Sequence, residues 1–165
     1  MQVPIRKPDR YTHVKSDPRL TPAKLVELQE KLRRLMASRP RVAQEVKHLS
    51  ETGDFSENAG YQAAKGRLRG INQRILELED QIAHVEIIAP SEDVSTVQLG
   101  HHVTIEMAGK QMTYQILGSA ETNPGQGVIS HNSPIGAALI GHRVGDVVTF
   151  RSTTKTIECR VVQIR

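Results

Sequence analysis

Residues 25–85 read LVELQEKLRRLMASRPRVAQEVKHLSETGDFSENAGYQAAKGRLRGINQRILELEDQIAHV, and the spacing of apolar positions in this stretch decides the fold. Leu25, Leu28, Leu32, Leu35, Val42, Val46 and Leu49 recur at alternating steps of three and four, interrupted only at Arg39. That is the heptad seam of a helix that buries one stripe against a partner. A second seam runs through Tyr61, Ala64, Leu68, Ile71, Ile75, Leu78, Ile82 and Val85. The two seams are mirror images. Pairing Leu49 with Tyr61, Val46 with Ala64, Val42 with Leu68, Leu35 with Ile75, Leu32 with Leu78, Leu28 with Ile82 and Leu25 with Val85 gives residue numbers that always sum to 110. Two antiparallel helices folding back near residue 55 produce this symmetry. With about thirty residues each at ~1.5 Å rise, they predict a hairpin about 40 Å long, too thin to be a globular domain.

Working outward, Thr21-Pro22 predicts the start of the first helix, because Thr21 can cap free N–H groups and Pro22 suits the first helical position. Pro40 lies within the seam and predicts a kink, since it removes one ladder hydrogen bond. Residues 1–19 carry three prolines and five Lys/Arg without hydrophobic periodicity, and read as an extended arm. The hairpin then occupies 20–88, with its tip at 53–58. Beyond the linker Ala89-Pro90-Ser91-Glu92-Asp93, alternating β-branched stretches predict strands at His102–Met107, Gln111–Leu117, Val147–Arg151 and Thr156–Ile164. Ala108-Gly109-Lys110 reads as a hairpin turn. Asn132-Ser133-Pro134 opens a short apolar helix, Ile135–Ile140. Residues 94–165 are therefore a small α+β domain, and the whole chain is α+β: an antiparallel coiled-coil hairpin followed by that domain.

Composition narrows function. The lone Cys159 can form no internal disulfide, and no apolar run suffices for a signal sequence or membrane span, which points to a reduced, cytoplasmic setting without membrane contact. Aromatic content of 3% with no Trp argues against base-stacking or sugar-binding surfaces. His101, His102 and His131 lack partners at metal-ligand spacing, and Cys159 reads as core rather than nucleophile. The net charge of +4 lies entirely in residues 1–90, which hold sixteen Lys/Arg against twelve Asp/Glu, whereas residues 91–165 hold six of each. That asymmetry suggests a polyanionic or acidic partner for the first half.

The turn reads Gly53-Asp54-Phe55-Ser56-Glu57-Asn58. Asp54 and Glu57 have the spacing of a capping box, which alone explains them. An apolar Phe55 between two acids, at the most exposed point of the molecule, instead suggests a tip that inserts somewhere. Behind the tip, Lys31, Arg33, Arg34, Arg39, Arg41 and Lys47 on the first helix lie beside Lys65, Arg67, Arg69 and Arg74 on the second, with only Glu45 expected to oppose them. The hairpin is thus an acidic point on a basic shaft, although a solvated charged surface would look the same. Two neighbouring carboxylates suit a hard cation such as Mg²⁺, provided that other ligands share it.

Four segments resemble the bacterial Gre family of transcription elongation factors: Arg39-Pro40-Arg41-Val42; Gly53 to Ala59 with Tyr61; Asn132-Ser133-Pro134-Ile135 with Ala138-Leu139-Ile140-Gly141; and Val144-Gly145-Asp146. The resemblance implies that the hairpin enters the secondary channel of RNA polymerase and promotes the polymerase's own cleavage of backtracked RNA, the chain itself being no enzyme. It implies that Asp54 and Glu57 help to hold a shared Mg²⁺ only in the complex, with no cofactor bound stably. Phe55, Ser56 and Asn58 are then lesser tip contacts. The basic shaft of Arg34, Arg39, Arg41, Lys47, Lys65, Arg67, Arg69 and Arg74 meets the nascent RNA 3′ segment and the channel wall. Asn132, Ser133, Pro134 and Ile135 dock a monomeric, FKBP-like C-terminal domain at the channel rim. Lys65-Gly66-Arg67-Leu68-Arg69 leans toward the more basic, GreB-like branch. Gly60 departs from the family pattern, which usually places an acid there. Gly136-Ala137 lacks the usual basic residue, and residues 1–19 have no family counterpart.

Other readings remain. A Gre-fold regulator could occupy the same channel without cleavage, although such paralogues differ at the tip acids. A coiled-coil clamp or holdase would use Phe55 to grip clients. A prolyl isomerase is disfavoured, because Tyr114 and Phe150 are too few aromatics to line its pocket.

Overall fold

The computed structural model describes residues 17–51, 59–89, 91–152 and 155–165. Strand β1 (Arg19–Leu20) precedes helix α1 (Pro22–Glu51), and helix α2 (Ala59–Ala83) leads into strand β2 (Glu86–Ile87). Thr21 caps α1 as expected, its hydroxyl accepting the Lys24 N–H at 3.2 Å. Helix α1 continues through Pro40 to Glu51.

The hairpin register follows the symmetry of the sequence. Every seam residue on both helices is buried or half-buried, while the residues between them are mostly exposed. Arg39 Nε donates to Asn72 Oδ1 at 2.7 Å and Arg67 pairs with Glu45, so rising numbers on α1 meet falling numbers on α2. These helices are antiparallel. The best-packed part is the base, where Leu20, Leu28 and Leu78 are buried and Leu32, Leu35, Ile82 and Val85 pack around them.

The remaining strands form a five-stranded sheet in the order β5-β4-β3-β7-β6, with β3 His102–Met107, β4 Lys110–Leu117, β5 Val128–Ser130, β6 Val147–Arg151 and β7 Thr156–Ile164. Neighbours are antiparallel except β4 and β5. Ala108 (φ 50°) and Gly109 (φ 74°) turn β3 into β4, so Lys110 belongs to the strand rather than to the turn. Helix α3 (Pro134–Leu139) closes the domain core of Val97, Val103, Ile105, Ile116, Leu139, Cys159 and Val161. Cys159 is core, as read, and burial pushes its thiol pKa up.

Three strands carry no signal in the sequence. β1 and β2 have two residues each and β5 three, too short for a period-two pattern. β1 pairs with β2 in parallel, so Arg19, the last residue of the expected arm, is already part of the folded structure. Of the Gly136-Ala137 pair that follows Ser133-Pro134-Ile135, the glycine has a local cause. A Cβ on Gly136 would lie 2.1 Å from the Ser130 carbonyl oxygen, so the α3 backbone comes too close for a side chain at 136, whereas the exposed Ala137 has no structural reason to lack a basic one.

Candidate functional site

The shaft is built from two helices of 30 and 25 residues. At ~1.5 Å per residue the longer one spans about 45 Å. Tyr61 is half-buried on the seam near the far end, with Lys65 Nζ lying 5.7 Å from its ring centroid, close enough for a cation–π contact. Asp54, Phe55, Ser56, Glu57 and Asn58 lie outside the described residues.

The charges on the shaft are more balanced than expected. Glu45 does face Arg67, but it is not alone. Glu30 receives Arg33 Nε and Arg34 Nε at 2.8 Å each, Glu77 receives Arg74 Nη1 at 2.9 Å, and Glu51 lies 4.0 Å from Lys47. The expectation that only Glu45 opposes the cations is corrected. It compared charges across the two helices, whereas most of the pairs form along one helix at i,i+3 or i,i+4. The hydrogen bonds from Arg33 and Arg34 lower the Glu30 pKa to about 2, and Arg74 lowers that of Glu77. Arg39 is held by Asn72.

Among the eight shaft residues expected to meet RNA, that leaves Arg41 and Arg69, exposed and without a side-chain partner among the described residues; outside the eight, Lys31 is likewise exposed and unpaired among them. The numbers of Arg41 and Arg69 sum to 110, which puts them at one level on facing helices. Of the eight shaft residues expected to meet RNA, this pair has the most freedom to engage an external anion.

The four expected docking residues divide. Ser133 caps α3: its hydroxyl accepts the Gly136 N–H at 3.1 Å and donates to Ser130 O at 2.6 Å. Ile135 packs against the domain core. Asn132 and Pro134 are exposed at the start of α3, with Asn132 Nδ2 donating to Ser119 Oγ at 3.3 Å. Any partner at this corner therefore meets Asn132 and Pro134, while Ser133 and Ile135 hold the corner in shape.

Among the described residues no group of three or more His, Cys, Asp or Glu could hold a metal ion. His101 accepts the Gln98 N–H through Nδ1, and His131 faces Asp17. No described helix is long and apolar enough to cross a membrane. One group of polar residues went unread in the sequence: Asp17, Ser119, Glu121 and His131 converge across about 100 residues of chain, a distance that no local motif spans.

The family description "Transcription elongation factor, N-terminal" matches residues 19–87, the hairpin, and "Transcription elongation factor, GreA/GreB, C-term" matches residues 90–165. The transcription elongation factor GreA of Thermomicrobium roseum is 40% identical over 129 residues, covering 77% of this chain and 83% of that protein. GreA of Anaeromyxobacter sp. is 42% identical over 137 residues, covering 81% and 82%. Both of these relatives are GreA factors. Among solved structures, GreA factor homolog 1 (Gfh1) of Thermus thermophilus is 31% identical and covers 90% of this chain and 99% of that one, with a TM-score of 0.42. The two matched regions together span the hairpin and the sheet domain, and the relatives align across both, so the chain belongs to the GreA/GreB family of transcription elongation factors.

Proposed function

We propose that the chain acts on RNA polymerase in the cytoplasm as a monomer, entering the secondary channel with its hairpin and stimulating the polymerase's own cleavage of backtracked RNA. The observation that carries this reading is a thin, charged, two-helix shaft about 45 Å long, with Asp54 and Glu57 in the stretch of sequence that joins its two helices. A shaft this narrow suits a channel better than a flat interface.

Asp54 and Glu57 fit a half-site for Mg²⁺, which favours one or two carboxylates and otherwise keeps water. When bound, the ion supplies Lewis-acid stabilisation of the phosphoryl oxygens. The tip residues accept hydrogen bonds from, and so orient, the attacking water. Its oxygen joins phosphorus as the 3′ oxygen of the upstream nucleotide leaves, giving a new 3′ hydroxyl in register. Because the polymerase supplies the remaining ligands, the chain is a helper in trans and not an enzyme. Arg41 and Arg69 are the shaft residues best placed to touch extruded RNA, through phosphate contacts that carry no base readout.

The test is a cleavage assay on halted, backtracked polymerase from the cognate organism. The unmodified chain should release 3′ fragments, and Asp54→Ala or Glu57→Ala should slow release at least about tenfold. The proposal fails if the unmodified chain releases nothing, or if both variants cleave at its rate.

A further inference from the structure

Residues 17–21 have one foot in each half of the molecule. On the hairpin side Leu20 is fully buried against Leu28 and Leu78, Pro18 O accepts the Glu86 N–H at 2.8 Å, and Leu20 O accepts the Ile88 N–H at 2.8 Å. On the other side the same five residues are held by the C-terminal domain at two points. Asp17 Oδ2 accepts the Ser119 N–H at 2.8 Å and lies 3.3 Å from His131 Nδ1, while Oδ1 accepts the Arg19 N–H at 3.2 Å. His131 Nδ1 is also 3.4 Å from Leu117 O. Both of its neighbours are acceptors, so Nδ1 carries the proton. The Asp17 and His131 side chains are only 7% and 11% exposed, which strengthens their contact. Burial alone would raise the Asp17 pKa, but the Ser119 and Arg19 amides and His131 outweigh it and hold the carboxylate ionised.

The second point is Thr21, whose N–H and hydroxyl donate to the two carboxylate oxygens of Glu121 at 2.8 and 2.6 Å. Thr21 is the residue that caps α1, so the C-terminal domain grips the shaft at its first turn. Between the two points the backbones touch. A Cβ on Gly118 would lie 1.9 Å from the Arg19 carbonyl oxygen.

We propose that Asp17 and Glu121 are positioning residues whose clasp sets the direction in which the hairpin leaves the C-terminal domain. The consequence for activity rests on the cleavage reading above: the clasp would decide where Asp54 and Glu57 arrive. The lever is long. Over a shaft of about 45 Å, a pivot of about 5° at the base displaces the far end by about 4 Å. Misplacement by even ~1 Å can cost on the order of 100-fold in rate, so a loosened base should be visible in catalysis.

Two independent perturbations test this in the full-length chain. Asp17→Ala with Glu121→Ala removes the polar grip. Gly118→Ala leaves every clasp side chain in place and obstructs only the backbone approach, because Gly118 has φ −65° and ψ 159°, a conformation alanine adopts freely. Spin labels on cysteines replacing exposed Ala63 and Lys110, in a Cys159→Ala background, report the distance between shaft and sheet domain by pulsed electron resonance. A single narrow distance is expected for the parent, and a broadened or displaced distribution for both perturbations with helical content unchanged. In the cleavage assay the maximal rate at saturating factor should fall by about tenfold or more, while the half-saturating concentration changes less than about threefold. An unchanged distance distribution in both perturbed chains overturns the clasp. Cleavage that recovers fully at saturation overturns its positioning role. If the unmodified chain fails to cleave, the functional reading falls, and the distance measurement still judges the clasp by itself.

Discussion

Leu76 and Leu78 lie two residues apart on α2, and only the seam distinguishes them. Leu78 is fully buried at the base beside Leu20 and Leu28, whereas Leu76 is 61% exposed. Truncating Leu78 to alanine removes three buried carbons and leaves a cavity where β1, α1 and α2 meet. A buried Leu→Ala change of this kind costs about 2–5 kcal/mol. For a chain of this size each kcal/mol lowers the melting temperature by roughly 2–4 °C, so a drop of about 4–20 °C is expected. Leu76→Ala removes the same atoms from solvent and exchanges one good helix former for another, so it should stay within about 0.5 kcal/mol of the parent. The assay is circular dichroism at 222 nm during heating. It reports mainly on the hairpin, because α1 and α2 hold 30 and 25 residues and α3 only 6. Equal melting of the two variants, or a larger loss for Leu76→Ala, would refute the antiparallel seam as the source of hairpin stability.

Three further outcomes follow from the geometry. The pKa of Glu30 is lowered to about 2, below its unfolded value, so its stabilising effect is complete above pH ~4.5 and is lost as pH falls toward 2. Glu30→Gln should therefore melt below the parent at neutral pH, and the gap should close on acidification and shrink in 1 M salt; a gap independent of pH would count against the Arg33–Glu30–Arg34 fork. In binding titrations with polymerase holding extruded RNA, Arg41→Ala with Arg69→Ala should lower the slope of log affinity against log salt by roughly 1.4 if both contact single-stranded phosphates. Arg34→Ala with Arg74→Ala should lower it less, since those charges are matched by Glu30 and Glu77, and equal slopes would reject the distinction. Gly136→Ala should destabilise the sheet domain by about 1–3 kcal/mol, because the new methyl must displace the Ser130 carbonyl. Chemical denaturation followed by the Tyr114 signal checks this, and an unperturbed midpoint would contradict the close approach.

What could be read in the sequence was whatever repeats over many residues. The seams of α1 and α2 were legible because fifteen apolar positions share one period, and β3, β6 and β7 because five to nine residues alternate. The cap at Thr21 was legible because its chemistry is local. β1, β2 and β5 were not, since two or three residues hold no period and their pairing is decided by distant chain. The shaft ion pairs show the opposite failure. Glu30 and Glu77 are in plain view at i,i+3 and i,i+4 from their arginines, but a reading aimed at the space between the helices passed over them. For the candidate site, Asp54 and Glu57 were singled out by family resemblance, since their spacing alone reads as a helix cap. Asp17, Glu121 and His131 had no such mark, because nothing in the order of residues says that position 17 meets position 131.

The burial of large side chains along the hairpin is lopsided: Leu20, Leu28, Ile75 and Leu78 are buried toward the base, while further out the small Ala64 is buried but Val42, Val46, Leu49, Tyr61, Leu68 and Ile71 are only half-covered. A two-helix rod has no third layer to even this out, so its resistance to opening should behave like a zipper fixed at one end rather than a single cooperative block. The outer turns can then part and re-form while the base stays shut. A rod built this way can adjust the shape of its outer turns to a partner without loosening its attachment to the domain that carries it.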